Sequence, residues 1–265
     1  MLLSFTKCHA NGNDFIFIHS KNFSAKYRNK KIIKRLCDRQ IGIGADGLFI
    51  VYPSNIYDFS LDYYNADGSW ETLCANGSRC AVLLMNKLEN KNKHVVFKAG
   101  DGVHCAQILK NGTVSMQMLE PKYCSDKLHV SGFSGYFINS GARHFVVEAQ
   151  TLDDNFILEA AKKIRYSSKF SPKGINVNFY TIVNRGLVNI KTYEKGVEKV
   201  MHSCASGSTA VIFHLAKNKL IDSPVITASS GGKLKICFSN KINEFSVIGP
   251  SEILYDGQFN FNLLL

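Results

Sequence analysis

Residues 74–84 read CANGSRCAVLL, and residues 204–214 read CASGSTAVIFH. Each stretch places a cysteine directly before small residues, and an apolar segment with helical spacing follows. Cys204 lies 130 residues after Cys74. The same interval separates Phe15 from Phe145, Gly44 from Gly174 and Phe49 from Phe179. The agreement indicates an internal duplication and predicts two copies of one α+β unit.

Each copy shows the same order of predicted elements. A strand, a charged helix (near 29–38 or 153–165), a glycine-bearing turn and two further strands precede the cysteine and its helix, and a hairpin follows. The second of the two further strands is predicted at 59–65 in the first copy and at 187–194 in the second. We predict two similar domains, each a mixed or antiparallel sheet wrapped around a central helix. Residues 1–119 form the first domain, completed by 251–265, and residues 120–250 form the second. A linker is predicted near residues 118–127, where a proline interrupts the strand pattern.

Composition and charge limit the classes of function. The chain has 265 residues, of which 45% are hydrophobic, as in globular proteins. It shows neither an apolar run that would span a bilayer nor a signal peptide, so we expect a cytoplasmic protein. The net charge is +11, but the basic residues are mostly lysines that do not alternate with aromatic residues. This pattern favours a solvated surface that attracts small anions, with no nucleic-acid or membrane partner.

The eight cysteines show neither Cys-x-x-Cys pairs nor a zinc-binding spacing. We therefore expect no metal, and we expect free thiols in a reducing compartment. A cysteine before a helix is most often a small buried hydrophobic residue. We keep this interpretation for the other six cysteines, whereas the matching positions of Cys74 and Cys204 favour a chemical role.

A position at the start of a helix would make a cysteine thiol more reactive. The unpaired N–H groups and positive dipole end of the helix bind an anion such as a carboxylate, and they lower the pKa of a neighbouring thiol. We expect the helix N-cap at Asn76 or Ser78 in the first copy and at Ser206 or Ser208 in the second. The small residues Ala75, Gly77, Ala205 and Gly207 are expected to let a ligand approach the backbone.

Two such sites suggest a particular reaction. If the copies pack about a pseudo-twofold axis, Cys74 and Cys204 face each other across an interdomain cleft that holds one carboxylate. One thiolate could then remove a proton from the adjacent chiral carbon while the opposing thiol delivers a proton to the other face. This chemistry inverts the carbon and needs no cofactor.

The motifs resemble those of the diaminopimelate epimerases and, more broadly, the pyridoxal-independent two-cysteine racemases. The resemblance covers nearly the whole chain, and the NADGS sequence nine residues before Cys74 is one of its most specific motifs. The matching stretches are FTKCHANGNDF (5–15), DRQIGIGADGL (38–48), YNADGSWETLCANGSRC (64–80), NSGARHFV (139–146), GINVNF (174–179) and YEKGVEKVMHSCASGSTA (193–210).

The resemblance implies roles for individual residues. It makes Cys74 and Cys204 the acid/base pair of an epimerase that converts LL- to meso-diaminopimelate for lysine and peptidoglycan precursor synthesis. The resemblance also implies a site for the α-carboxylate, formed by Ala75, Asn76, Ala205 and Ser206. It implies that Asn13 and Glu194 bind the amino group on the reacting carbon and that His144 supports the site. The distal end of the substrate would be bound by Asn65, Asn176 and Lys195. Without the resemblance, Asn13 and Asn65 would be interpreted as turn residues and His144 as a core histidine.

Several positions depart from the family pattern. Ala75 and Ala205 replace glycines, which would strain the backbone if either position required a positive φ. Lys195 replaces an arginine expected to clamp the distal carboxylate. Ala142 and Arg143 also differ, and one extra residue before Cys204 makes Glu198 a rival of Glu194.

These departures leave alternatives open. One is a racemase of a different amino acid with the same two-cysteine mechanism. The net charge of +11, rather than these departures, is the ground for another, a non-catalytic protein that binds polyanions. A weaker alternative is a thiol–disulfide enzyme. The partner expected in the leading interpretation is a small amino-acid substrate, and a homodimer stays open.

Overall fold

The computed structural model describes residues 2–89 and 94–264. The chain forms two compact units, of which the first runs to Met116 and resumes at Pro250, while the second is Gln117–Gly249. Among the described helices, none combines the length and the apolar character needed to cross a membrane. The eight cysteines are free thiols.

The first unit combines a mixed sheet with two α-helices. Its strands are β1 (Leu2–Ala10), β2 (Asn13–His19), β3 (Gly47–Tyr52), β4 (Phe59–Asn65), β5 (Trp70–Glu71), β6 (His94–Ala99), β7 (Gly102–Ile108) and, at its boundary, β8 (Val114–Met118). Its helices are α1 (Lys30–Cys37) and α2 (Ala75–Glu89), with 3-10 turns at Ser20–Asn22 and Ala25–Tyr27.

The second unit repeats this order. Its strands are β9 (Lys122–Val130), β10 (Phe133–Asn139), β11 (Arg143–Glu148), β12 (Asn176–Asn184), β13 (Leu187–Glu194), β14 (Lys199–Met201), β15 (Val225–Ser229), β16 (Gly232–Phe238) and β17 (Phe245–Gly249). Its helices are α3 (Asp154–Arg165) and α4 (Ala205–Lys217), with a 3-10 turn at Ser168–Phe170. The chain then returns to the first unit with β18 (Glu252–Asn260) and a 3-10 turn at Phe261–Leu264.

The strand registers carry the duplication into three dimensions. In the first unit, β2 and β3 are parallel and place Phe15 opposite Gly47. In the second, β11 and β12 are parallel and place Phe145 opposite Val177, so both partners shift by the same 130 residues. Further along, β4 runs parallel to β6 and β13 runs parallel to β15. This order confirms the predicted α+β fold class with two similar units.

Each unit is built around the helix that follows its cysteine. Every residue of α4 from Ala205 to Ala216 is buried, and α2 contacts β1, β2, β7 and β18. A helix that is apolar on all sides must be surrounded by other elements. The outer helix α3 instead buries one stripe that includes Ile157 and Ile164 against Phe145, and an Asp153 side chain caps its first turn.

The predicted linker is wrong in its second half. Residues 122–127 belong to β9, which pairs with β10, for instance Leu128 with Gly135. Pro121 directly precedes this strand, a position where a missing N–H is tolerated. The proline therefore marks the start of a strand, and only the preceding residues form a connection.

Candidate active site

Each of the two special cysteines stands directly before its helix. The Ser78 N–H donates to the Cys74 carbonyl oxygen (2.8 Å), and the Ser208 N–H donates to that of Cys204 (2.9 Å). Cys204 is itself the N-cap of α4, since its Sγ accepts from the Gly207 N–H at 3.4 Å. The expected N-caps further along the chain are therefore wrong. A sulfur atom takes the place of the usual capping oxygen, which brings the thiol to the positive end of the helix.

The small residues after each cysteine fit the helix start, and the two glycines among them also have a packing role. Ala75 and Ala205 are the first residues of right-handed helices and do not have a positive φ, so neither alanine is strained. The missing side chains of Gly77 and Gly207 make room for protein atoms. A Cβ at Gly77 would overlap the Phe49 ring, and one at Gly207 would overlap the Asn178 amide.

Cys74 is half-buried beside a chain of amides. Its Sγ lies 4.0 Å from Asn13 Oδ1, which also accepts from Asn76 Nδ2 at 3.2 Å. Asn13 Nδ2 in turn donates to Asp46 Oδ2 at 2.9 Å. Asn13 and Asn76 are therefore held with defined orientations next to the thiol, and Asp46 is a supporting residue that the sequence motifs did not single out.

A buried arginine lies beneath this helix start. Arg79 is fully buried, and it donates to the Ala75 carbonyl oxygen (3.2 Å) and to Asn76 Oδ1 (3.0 Å). Among the described residues its Nε has no hydrogen-bond partner. Burial lowers the pKa of Arg79 to about 10, so the side chain is still cationic at neutral pH. The sequence signal that could have identified it is a cation within the apolar segment after Cys74.

Cys204 lies in a different electrostatic environment. Burial raises the pKa of its thiol to about 12, and the negative charge of Glu194 adds to this effect. Hydrogen bonds from Ser206 and the Gly207 N–H act in the opposite direction. Cys204 is therefore a protonated thiol at neutral pH in this structure.

His144 reaches the second helix start through Ser206. Its Nε2 lies 3.0 Å from Ser206 Oγ, which lies 3.5 Å from Cys204 Sγ. Its Nδ1 lies 3.0 Å from Asn178 Nδ2, and Asn178 Oδ1 accepts from the Thr192 hydroxyl at 2.8 Å. Burial lowers the pKa of His144 to about 3, so its ring is neutral. Sequence reasoning did not single out Asn178 or Thr192.

The residues predicted to bind the distal end of the substrate form hydrogen bonds within their own units. Asn65 accepts from the Tyr63 hydroxyl at 2.6 Å in the first unit. In the second unit, Asn176 Oδ1 accepts from the Lys195 N–H at 2.9 Å. This bond fixes the backbone where the expected arginine is replaced by lysine.

The two rival glutamates differ in their surroundings. Glu198 forms an ion pair with Arg165 (2.7 Å) and accepts from the Tyr166 hydroxyl (2.9 Å), so its carboxylate is engaged on the side of α3. Glu194 is the carboxylate whose charge acts on Cys204. Arg143 is similarly engaged, since its Nε donates to the Gly174 carbonyl oxygen and its guanidinium covers the Phe137 ring.

The structure thus groups the predicted residues by unit. Asn13, Cys74, Ala75 and Asn76 form one cluster, and His144, Glu194, Cys204, Ala205 and Ser206 form the other. Within residues 2–89 and 94–264, no group of three or more His, Cys, Asp or Glu side chains could hold a metal ion.

Comparison with known proteins places the chain in a family. The pattern of the diaminopimelate epimerase family matches residues 5–124. A diaminopimelate epimerase of Flavobacterium psychrophilum is 35% identical over 255 aligned residues, which cover 94% of this chain and 97% of that protein. The chain belongs to the diaminopimelate epimerase family.

Other members and structures agree with this family. A diaminopimelate epimerase of Aquifex aeolicus is 32% identical and covers 99% of both chains. The crystal structure of a hydroxyproline epimerase from Agrobacterium vitis, with bound trans-4-hydroxy-L-proline, superposes with a TM-score of 0.79. It covers 97% of this chain and 92% of that chain at 11% identity, which establishes the shared fold alone. Membership in the diaminopimelate epimerase family confirms the resemblance found in the motifs.

Proposed function

We propose that this protein is a cofactor-independent diaminopimelate epimerase of the cytoplasm that converts the LL to the meso isomer. The observation that carries the proposal is the pair of thiols at equivalent helix starts of a duplicated unit, in a chain of this family. One thiol at a helix start would have a simple packing explanation. Two at the same position of both repeats match the need for two acid/base groups.

The proposed reaction moves two protons. One cysteine, as a thiolate, takes the proton from the α-carbon and leaves the electron pair delocalised onto the carboxylate. The other cysteine, as a thiol, gives its proton to the opposite face of that carbon. The product has the inverted configuration, the first cysteine is now a thiol and the second a thiolate, and exchange with solvent restores the starting form.

The helix starts supply the electrostatic part of the proposal. In the transition state, negative charge spreads onto the carboxylate, and N–H groups at a helix N-terminus stabilise such charge. Ala75, Asn76, Ala205 and Ser206 provide these groups. Asn13 and Glu194 offer acceptor oxygens for the α-amino group. Asn13 lies beside Cys74, and the charge of Glu194 acts on Cys204.

A racemase of a different amino acid is the second candidate. Lys195 favours it, because a lysine offers a point charge where a bidentate arginine would be expected to recognise a distal carboxylate. Asn65 and Asn176 are the other residues proposed for the distal end of the substrate.

Deuterium exchange distinguishes the two candidates. The reduced protein is incubated in heavy water with LL-diaminopimelate and, separately, with a panel of other amino acids, and deuterium at the α-carbon is followed by mass spectrometry. Exchange with diaminopimelate supports the proposed function. Exchange only with another amino acid supports the second candidate, and no exchange with any substrate contradicts both.

Single cysteine variants test the two-base assignment when the conversion of LL- to meso-diaminopimelate is measured with a separation of the two stereoisomers. Cys74→Ala and Cys204→Ala should each abolish inversion, because each removes one of the two proton-transfer groups. Cys105→Ala is the control, since Cys105 is an exposed residue of β7. Full activity in either active-site variant would refute the assignment.

A further inference from the structure

Four buried side chains connect the strands of the second unit to Cys204. In chain order they are His144, Asn178, Thr192 and Ser206, and we call them the hydroxyl relay. Asn178 on β12 stands directly opposite Thr192 on β13, while β11 carries His144 beside β12. The relay thus crosses three adjacent strands and ends in the first turn of α4.

The direction of the hydrogen bonds follows from the amide of Asn178. Its Nδ2 lies 3.5 Å from the Phe145 carbonyl oxygen, which can only accept. Its Oδ1 can only accept as well, and the Thr192 hydroxyl donates to it at 2.8 Å. Nδ2 therefore faces His144 Nδ1 at 3.0 Å as a donor, and this ring nitrogen must accept.

The same logic fixes the other ring nitrogen. A neutral imidazole carries one proton, and burial keeps the ring of His144 neutral by lowering its pKa to about 3. With Nδ1 accepting, the proton is on Nε2, which donates to Ser206 Oγ at 3.0 Å. Ser206 then has its own hydrogen available for Cys204 Sγ, 3.5 Å away.

We infer that the hydroxyl relay orients the Ser206 hydroxyl as a hydrogen-bond donor to the Cys204 thiolate, and that Asn178, Thr192 and His144 are positioning residues. The inference rests on the proposed function for the role of Cys204. The relay works against burial and the charge of Glu194, both of which disfavour the thiolate. It acts together with the Gly207 N–H, which also donates to Sγ.

The packing around Gly207 leaves space for the side chains of the hydroxyl relay. Gly207 lies so close to Asn178 and Thr192 that a Cβ would overlap Asn178 Oδ1 and would lie 3.1 Å from Thr192 Oγ1. The glycine of the Cys-Ala-Ser-Gly motif therefore makes room for the relay. The equivalent glycine of the first copy, Gly77, makes room for an aromatic ring instead.

The tautomer of His144 is the first test. We expect nitrogen-15 NMR of the histidine-labelled protein to show His144 neutral, with its proton on Nε2, at pH 7 and at pH 5. The loss of one signal in His144→Gln identifies the residue. A proton on Nδ1, or a charged ring at pH 7, would overturn the inference. No substrate is needed, so this result is independent of the proposed function.

The ionisation of Cys204 is the second test. Its alkylation by iodoacetamide at neutral pH is followed by mass spectrometry of its peptide, with the exposed thiols of Cys105 and Cys124 as references in the same sample. Ser206→Ala should slow the alkylation of Cys204 about tenfold, because a hydrogen bond to a charged group shifts an ionisation equilibrium by about that factor. An unchanged rate would overturn the inference.

Matched variants separate the relay from a general packing effect. Ser206→Thr keeps the hydroxyl and should keep the alkylation rate, whereas a loss equal to that of Ser206→Ala would contradict a hydroxyl donor. Ser208→Ala removes a hydroxyl from the same helical turn and should have no effect. Thr192→Val should slow alkylation while Thr192→Ser does not, and circular dichroism verifies that each variant is folded.

Discussion

Single residues make the two thiols inequivalent. Cys74 has the buried cation Arg79 one helical turn away along α2, whereas Cys204 has the anion Glu194 nearby. The duplicated backbone is the same in both places, but position 209 is a threonine where position 79 is an arginine. The charges near the two proposed catalytic thiols therefore come from side chains that differ between the two copies.

His144 makes the stability of the protein depend on pH. Its pKa is about 3 in the folded chain, while an unfolded histidine has a pKa of about 6.5. Below pH 6.5 the unfolded state binds the additional proton, so the free energy of unfolding falls as the pH falls. We expect His144 to contribute a loss of about 1.4 kcal/mol per pH unit below that point.

Urea denaturation at pH 7, 6 and 5 measures this contribution. His144→Gln should show a shallower decrease in the free energy of unfolding than the unmodified protein. His129→Gln is the control, because His129 is an exposed residue of β9. Equal slopes for the unmodified protein and His144→Gln would contradict a neutral, buried His144.

Residue-level details were the least predictable part of the site. The sequence left Glu194 and Glu198 as rivals, because they lie four residues apart around one turn. In the structure the two carboxylates differ because Arg165 of α3 pairs with Glu198. The spacing of motifs does not reveal a partner so distant in the chain. The same holds for the partners of His144 in the hydroxyl relay.

At the scale of elements, the first turn of α4 depends on a missing side chain. Gly207→Ala would normally favour a helix, since alanine has the higher helix propensity. Here the added Cβ would overlap the Asn178 amide, so overpacking should destabilise the protein by about 1–3 kcal/mol. We also expect slower alkylation of Cys204, because Asn178 must move.

Gly186→Ala is the matched control for this prediction. A Cβ at Gly186 would lie 3.6 Å from Asn184 Oδ1, an ordinary contact distance. Thermal denaturation followed by circular dichroism should therefore show a lower melting temperature for Gly207→Ala than for Gly186→Ala. Similar melting temperatures for both variants would contradict a tight fit at α4.

The elements themselves were predictable where their patterns are periodic. The strand predicted at residues 187–194 coincides with β13, and the helices predicted near 29–38 and 153–165 coincide closely with α1 and α3. Short-range capping and connection chemistry was harder to predict. Sulfur is a rare helix cap, and a proline before a strand looks the same in sequence as a proline in a linker.

At the scale of the molecule, the 3-10 turn after β18 contributes to the core of the first unit. Phe261 is fully buried, and its ring packs on Phe23 (6.0 Å between centroids) and Tyr27 (4.6 Å). Phe261→Ala should cost about 3–5 kcal/mol in free energy of unfolding, because it leaves a cavity in a packed cluster. Urea denaturation of this variant measures the cost.

Leu254→Ala is the control for the terminal segment. Leu254 lies on β18 with 49% of its surface exposed, so its truncation should change the free energy of unfolding by less than about 1 kcal/mol. Equal losses in the two variants would show that the stability effect comes from the strand and not from the buried ring.

The overall fold could be predicted because both the repeated motifs and their constant 130-residue interval indicate the duplication. Gly44 and Gly174, which the sequence pairs at the 130-residue interval, both have positive φ values of 82° and 67°. Such conformations favour glycine, so the interval preserves a backbone requirement. The electrostatics of the site could not be predicted in the same way, because Arg79 and Glu194 have no counterparts at the paired positions.

The pairing of β18 with β1 has a consequence for how the protein is made. Leu2 lies opposite Asn260 and His9 lies opposite Glu252, so the sheet of the first unit needs strands from two segments that lie far apart in the chain. The second unit is one continuous segment, Gln117–Gly249. During synthesis on the ribosome, the second unit can therefore complete its fold first, while the first unit, begun earlier, waits for β18 to emerge.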